Sequence, residues 1–167
     1  MGNRELPMSP AEYVKTVPKV TLAAAVLLTV GPDRPVMLRS VFKGTGWQFP
    51  GGNTDDGEDP RATAARETEE ETGLRVRGPM DLLLMQFIHP GVKGWPIGKI
   101  VCVFDGGNIT WEQFTSIRLD PEEHDHVRAL EWESWVTQAD SYRVKLLDTV
   151  HRARATGRAA YLVRGTP

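Results

Sequence analysis

The sequence predicts one α/β domain, a mixed β-sheet held between helices as an α/β/α sandwich. Three observations lead there. Short apolar runs alternate with segments that carry helix-capping signals, the pattern of a sheet covered by helices. The chain has 167 residues, 40% of them apolar and 25% charged, with a mean hydropathy of -0.34. Such a chain buries about 68–70% of its unfolded surface, enough for one core without staples. The third observation is a single cysteine, Cys102, which forms no intrachain disulfide and favours a reducing compartment, by default the cytoplasm.

The elements follow in order. Ser9, Pro10 and Glu12 read as N-cap, first helical residue and capping-box partner of a short helix that Pro18 ends. Residues 1–18 are therefore expected to be a peripheral N-terminal segment, without an export or lipid signal. Val20–Val30, rich in Val, Leu and Ala, reads as a strand, and 35–40 as a second one beyond the turn Gly31-Pro32-Asp33. The apolar run of the first is too short for a spanning helix, which needs about 17–25 residues. Trp47-Gln48-Phe49 is a short third strand, broken by Pro50-Gly51-Gly52. Asp59 as N-cap, Pro60 in the first turn and Gly73 as left-handed stop define a helix over Pro60–Thr72. Strands are expected at 74–77, 82–89, 97–104 and 128–133. A last helix at 142–155, capped by Ser141 and stopped by Gly157, precedes a short extended piece at 160–163.

Net charge is -2, with no Lys/Arg block, so polymeric nucleic acid is not an expected partner. The acids are nonetheless concentrated. Between Gly52 and Glu71 lie eight of the 22 acids and only two bases, Arg61 and Arg66. On the helix, Glu70 and Glu71 fall at about 300° and 40° from Glu67, so the three carboxylates share one face. Like charges at these spacings repel, and a cation between them would relieve the repulsion. Hard oxygen ligands without Cys or His beside them suit magnesium. The opposite face, Ala64, Ala65, Thr68 and Thr72, is small enough to pack closely on a sheet. A solvated acidic face is the alternative reading.

From Gly52 the chain reads Gly, five residues, Glu58, seven residues, then Arg66-Glu67-Thr68-Glu69-Glu70-Glu71-Thr72-Gly73-Leu74. This resembles the Nudix box, Gly-x5-Glu-x7-Arg-Glu-U-x-Glu-Glu-x-Gly-U with U bulky and apolar. Only Thr68 departs from it, at a position that packs the helix on the sheet. The Trp47 to Gly52 segment and the closing helix also resemble the family. The resemblance implies a Nudix fold over a single domain, 1–167, and hydrolysis of the pyrophosphate linkage of a nucleoside diphosphate joined to a group X. It implies Mg2+, with Mn2+ as the other candidate, held by Glu70, Glu71 and the Gly51 carbonyl, with Glu67 either a further ligand or the base acting on water. Arg66 fixes Glu67, Glu58 steadies the loop, and Gly52 and Gly73 are structural. Many members draw a last ligand or base from a later loop, and Glu123 in the run Glu122 to His126 is the candidate. Two alternating histidines there, His124 and His126, are expected to face solvent.

For substrate contacts the candidates are Arg39 and Lys43 toward phosphates, and Phe87 and Trp95 for stacking on a base. The signatures of members acting on NADH and on coenzyme A are missing, leaving nucleoside triphosphates, ADP-ribose and nucleotide sugars. The expected partner is thus a small nucleoside diphosphate derivative, with no membrane role and with a homodimer left open. Two other classes compete: a Nudix-fold binding or sensor module without catalysis, and an isopentenyl diphosphate isomerase, for which Cys102 is poorly placed.

Overall fold

The computed structural model describes residues 7–42 and 46–166. Its architecture is organised by the central strand β1 (Val20–Val30), whose alternating side chains feed two separate apolar layers. Ala24, Val26, Leu28 and Val30 face one way, into a cluster with Val36, Ala64, Cys102 and Phe104. Leu27 faces the other way and packs with Met37, Phe49, Val103, Trp135 and Leu147. Around β1 stand β2 (Arg34–Ser40), β3 (Trp47–Gln48), β4 (Gly51–Asn53), β5 (Asp81–Ile88), β6 (Gly98–Ile109), β7 (His124–Ala129) and β8 (Ala160–Arg164). They form one eight-stranded sheet in the order β3-β2-β1-β6-β5-β8, with β4 added to β1 and β7 to β2. The β1–β6 and β5–β8 pairs are parallel and the others antiparallel, so the sheet is mixed.

Helix α1 (Pro10–Thr16) carries the expected capping box between Ser9 and Glu12 and buries none of its residues. The sandwich is made by α2 (Pro60–Thr72) on one face and α5 (Ser141–Thr156) on the other. Asp59 accepts the N–H groups of Arg61 and Ala62, and Gly73, at φ 73°, ends α2 in the left-handed region. The small face of α2 seats it on the sheet, with Ala64, Thr68 and Thr72 all buried. The Thr68 hydroxyl donates to the Ala64 carbonyl at 2.7 Å, so its polarity is absorbed within the helix. Helix α5 buries Leu147, Val150 and Ala153.

Several boundaries differ from the sequence reading, each for a tertiary reason. Gly51 and Gly52 do not break the sheet; they form β4 against β1, because a side chain at Gly51 would stand 2.3 Å from the Ala24 carbonyl and only glycine permits the approach. Residues 74–77 form no strand. The strand placed at 128–133 lies earlier, at β7. Trp132 instead opens α4 (Trp132–Thr137), whose Trp132 and Trp135, three residues apart, are both buried. A further helix, α3 (Trp111–Thr115), follows a β6 that runs on to Ile109 through a register shift opposite Leu27 and Thr29. The cap of α5 is Asp140, accepting the Arg143 N–H at 2.8 Å, rather than Ser141. Among the described residues, no helix is long and apolar enough to cross a membrane.

Candidate active site

The face of α2 that carries Glu67, Glu70 and Glu71 turns toward β4, but its three carboxylates have different surroundings. Glu71 is almost fully buried and accepts the Gly51 N–H at 2.7 Å. Glu67 lies directly over Gly52, where a Cβ would come within 2.3 Å of its carboxylate. Glu70 is 59% exposed and meets Arg66 at 2.9 Å. Arg66 is the hub of the wedge. Its Nε and Nη2 hold Glu58 at 2.8 and 3.1 Å, its Nη1 donates to Glu67 at 3.0 Å, and Nη2 also reaches the Asn53 carbonyl. The Arg66 guanidinium lowers the Glu58 carboxyl to about 2, helped by the Thr63 hydroxyl, and the surrounding carboxylates raise the pKa of Arg66 itself. Glu58 thus joins the loop to the helix through Asp55, Thr63 and Arg66, and Arg66 touches both Glu58 and Glu67.

Across from α2, the start of β7 brings in the rest. A carboxylate oxygen of Glu71, one of Glu123 and a ring nitrogen of His124 lie within 4.8 Å of one another. The run Glu122 to His126 is therefore only partly a loop, and His124 does not face solvent: it is 2% exposed. Its Nε2 sits 3.1 Å from the Gln48 amide, while its Nδ1 is buried without a hydrogen-bond partner among the described residues, with Glu71 Oε1 at 3.6 Å. Burial pushes the Glu71 carboxyl up to about 8; the Gly51 N–H opposes this and the charges of Glu67, Glu123 and Glu70 add to it. Burial also raises Glu67, against the pull of Arg66, and lowers His124. Carboxylates that resist ionising and an orphaned imidazole nitrogen are the donor set a divalent cation would satisfy. Gly51 meets this cluster through its N–H, which donates to Glu71. His126, by contrast, is exposed and bonded to Arg39.

A cavity of about 290 Å³ opens beside this cluster on the α5 side of the sheet. Ala23, Ala25 and Val101 make its floor, Trp47 and Tyr142 its walls, and Gln48, Gly51 and Gly52 join it to the acidic cluster. Among the described residues, none of the substrate contacts expected from sequence, Arg39, Phe87 and Trp95, lines it. Arg39 is held in a two-pronged ion pair by Asp125, at 2.7 and 2.6 Å. Phe87 takes the opposite sheet face, in register with Ile100, because its neighbour Gln86 takes the cavity side. Trp95 is exposed, donating to Thr21 at 3.0 Å beneath the Lys99 ammonium. Lys43 lies outside the described residues. Among the polar groups that line the cavity, Gln86, Lys93, Lys99, Gln138, Tyr142, Arg143 and Arg164 belong to no sequence motif. Gln86 alone left a signal, a polar residue at an inward position of an apolar strand. Cys102 is buried, as its apolar strand implied.

A family profile described as NUDIX domain matches residues 19–155. The chain belongs to the Nudix family. A Streptomyces rubellomurinus protein named CMP-5′-(N-acetyl-N-hydroxy-3-aminopropyl)phosphonate hydrolase is 61% identical over 72 residues, covering 40% of this chain and 35% of that protein. A Myxococcus xanthus octanoyltransferase is 33% identical over 141 residues, 83% of this chain and 37% of that one. The chain therefore spans little more than a third of either relative. The crystal structure of a MutT protein from Methanosarcina mazei shares the fold with a TM-score of 0.65 at 20% identity, covering 83% of this chain and 95% of that one. Nudix hydrolases as a group use divalent cations, in keeping with the acidic cluster here.

Proposed function

We propose that this Nudix domain hydrolyses the pyrophosphate linkage of a nucleoside diphosphate joined to a group X, with Mg2+ as cofactor and Mn2+ as its substitute. The observation that carries this reading is the convergence of Glu71, Glu123 and His124, with Glu67 over Gly52, beside a cavity whose charged lining residues are all basic. Glu71 and Glu123, with Glu70 on the same helical face, would hold the cation, and His124 would complete the buried side of the site. The cation, when bound, offsets the charge that repels a nucleophile from the diphosphate. Glu67, aimed by Arg66, takes the proton from the attacking water. Gly52 gives that carboxylate its space, since any larger residue would displace it. The Streptomyces relative is named for hydrolysis of a CMP-linked phosphonate, which supports a nucleotide joined through phosphorus as the substrate class. The test is incubation with a panel of nucleoside triphosphates, ADP-ribose and nucleotide sugars in Mg2+, with products separated by chromatography. Release of a nucleoside monophosphate or diphosphate from one class is the expected result; no turnover of any member overturns the reading.

A further inference from the structure

The acidic cluster contains one group that a site for magnesium does not call for, the imidazole of His124. Its place is decided by the pairing of β7 with β2. His126 stands opposite Arg39, but His124 stands opposite Ser40, so Asp125 is an extra residue on β7 and makes a bulge. In a regular strand His124 would share a face with His126 and Arg128, both of which are exposed. The bulge turns it inward instead, where it is 2% exposed. Two backbone bonds hold the entry to β7 in this path: the Val41 N–H donates to the Glu123 carbonyl at 2.9 Å, and the His124 N–H to the Asp120 carbonyl at 2.8 Å. Re-aiming a side chain beside an active site is a common use of a bulge.

The two ring nitrogens have different surroundings. Nε2 faces the Gln48 amide, a group that carries an acceptor as well as a donor and can hold an Nε2–H with its oxygen. Nδ1 then keeps its lone pair, the form in which an imidazole binds a metal ion. Among the described residues, this buried nitrogen has no hydrogen-bond partner. What it faces is Glu71 Oε1, at 3.6 Å. The other oxygen of that carboxylate accepts the Gly51 N–H, so Oε1 is the one turned to the imidazole. A separation of 3.6 Å is too long for a hydrogen bond. It is close to the spacing of two ligands on one cation, about 3.0–3.5 Å when each stands about 2.1 Å from it. An oxygen of Glu123 lies within 4.8 Å of both atoms. One nitrogen and two oxygens, from α2 and from the entry to β7, thus converge, and an ion among them would give Nδ1 its partner.

We propose that His124 Nδ1 is a ligand of the divalent cation, which makes this a mixed nitrogen and oxygen site that holds Mn2+ and Co2+ in preference to Mg2+. Magnesium is served at least as well by an oxygen donor, whereas imidazole favours the first-row transition ions, with affinity rising from Mn2+ to Co2+. Mn2+ thereby changes from the substitute ion to the one held more tightly. The proposal rests on the hydrolase reading only for the presence of a cation beside Glu71, and it makes Gln48 the group that keeps the ring in its ligating form.

Pulsed electron paramagnetic resonance on the whole chain, loaded with one equivalent of Mn2+, tests this without any turnover. The spectrum should show coupling to a directly bound 14N, replaced by a 15N coupling when histidine alone is 15N-labelled. The coupling should survive His126→Gln, since His126 is exposed and bonded to Arg39, and vanish in His124→Asn. Asparagine places an amide oxygen close to the position of Nδ1. In calorimetry that variant should therefore keep most of its Mg2+ affinity and lose roughly tenfold or more for Mn2+ and Co2+, the scale of loss at groups that tune a metal site. If His124→Asn does not fold, the labelled wild-type spectrum decides by itself. Failure to bind Mn2+, no nitrogen coupling to the bound ion, or an equal loss for Mg2+, Mn2+ and Co2+ in His124→Asn overturns the assignment. Turnover of the nucleotide panel is read separately. Nitrogen coupling without turnover supports the ligand and sinks the hydrolase reading, and turnover without the coupling does the reverse.

Discussion

The two faces of the sheet solve opposite problems. On the α2 face, Glu58, Glu67 and Glu70 are gathered around one arginine, and among the described residues the partners of Arg66 lie between Asn53 and Glu70. On the α5 face, the cations of the cavity come from a turn, two strands and a helix, separated by up to 71 positions from Lys93 to Arg164. The first arrangement is local, so helical geometry alone assembles it once the helix is capped. The second exists only after β1, β6, β5 and β8 have paired in register. A short charged motif can thus be built by secondary structure, while a pocket has to wait for the sheet.

The sharpest way to break this contrast is to remove one carboxylate from each side of the cluster. Glu67→Gln should lower kcat by roughly 10²–10⁴-fold, the range for lost general-base catalysis, with KM changed far less. Glu123→Gln should be milder, because the Glu123 side chain reaches the cluster from an exposed position. Steady-state kinetics on the best substrate at saturating Mg2+ would show it; the reverse order moves the base to β7, and wild-type turnover in both variants ends the mechanism.

The adjacent glycines of β4 separate fold from function next. At Gly51 a Cβ meets backbone, 2.3 Å from the Ala24 carbonyl and 2.5 Å from Ala25 Cα, which cannot yield. Gly51→Ala should cost the upper part of the roughly 1–3 kcal/mol typical of overpacking, or more, in a denaturant titration. At Gly52 the Cβ meets only the movable end of Glu67. Gly52→Ala should keep most of its stability and lose most of its activity, and equal losses of both in the two variants would contradict this division.

Metal affinity sharpens the contrast among the box glutamates. Calorimetry with Mg2+ and Mn2+ should find Glu71→Gln and His124→Ala weakened at least tenfold, by analogy with losses at groups that hold metal ligands in place. Glu70→Gln should lose less, since Glu70 stands outside the cluster. If Glu70→Gln with Glu71→Gln leaves affinity unchanged, the site is misassigned.

Acid stability follows from Glu58. Its carboxyl is lowered by Arg66 to about 2 from an ordinary value near 4.5. The ion pair therefore contributes fully above about pH 4.5 and is lost as pH falls toward 2. Glu58→Gln should flatten the pH dependence of the melting temperature in that window, and a wild-type slope there would show that Glu58 is not held in this way.

The smallest effect belongs to Thr68. Replacing its hydroxyl with a methyl in Thr68→Val loses a buried hydrogen bond worth about 0.5–1.5 kcal/mol and gains apolar burial of about 0.8 kcal/mol. The two nearly cancel. A melting-temperature change equivalent to more than about 1 kcal/mol in either direction would mean that the Ala64 carbonyl depends on that hydroxyl.

What the residues determined without help was everything whose cause lies within one turn or one repeat. The caps at Asp59 and Gly73, the bounds of α2, the shared face of Glu67, Glu70 and Glu71, the packing of Ala64, Thr68 and Thr72, and the sandwich class all follow from local periodicity and capping chemistry. Glu123 was a candidate ligand or base only through the family resemblance, and its place beside Glu71 came from the fold. Tertiary structure decided the rest. His124 looked like one of two surface histidines until pairing of β7 with β2 turned it inward beneath Gln48. Arg39 and Phe87 looked available for substrate until Asp125 and the register of β5 claimed them. The cavity cations carried no sequence signal, because residues far apart along the chain meet only when sheet register and helix docking bring them together.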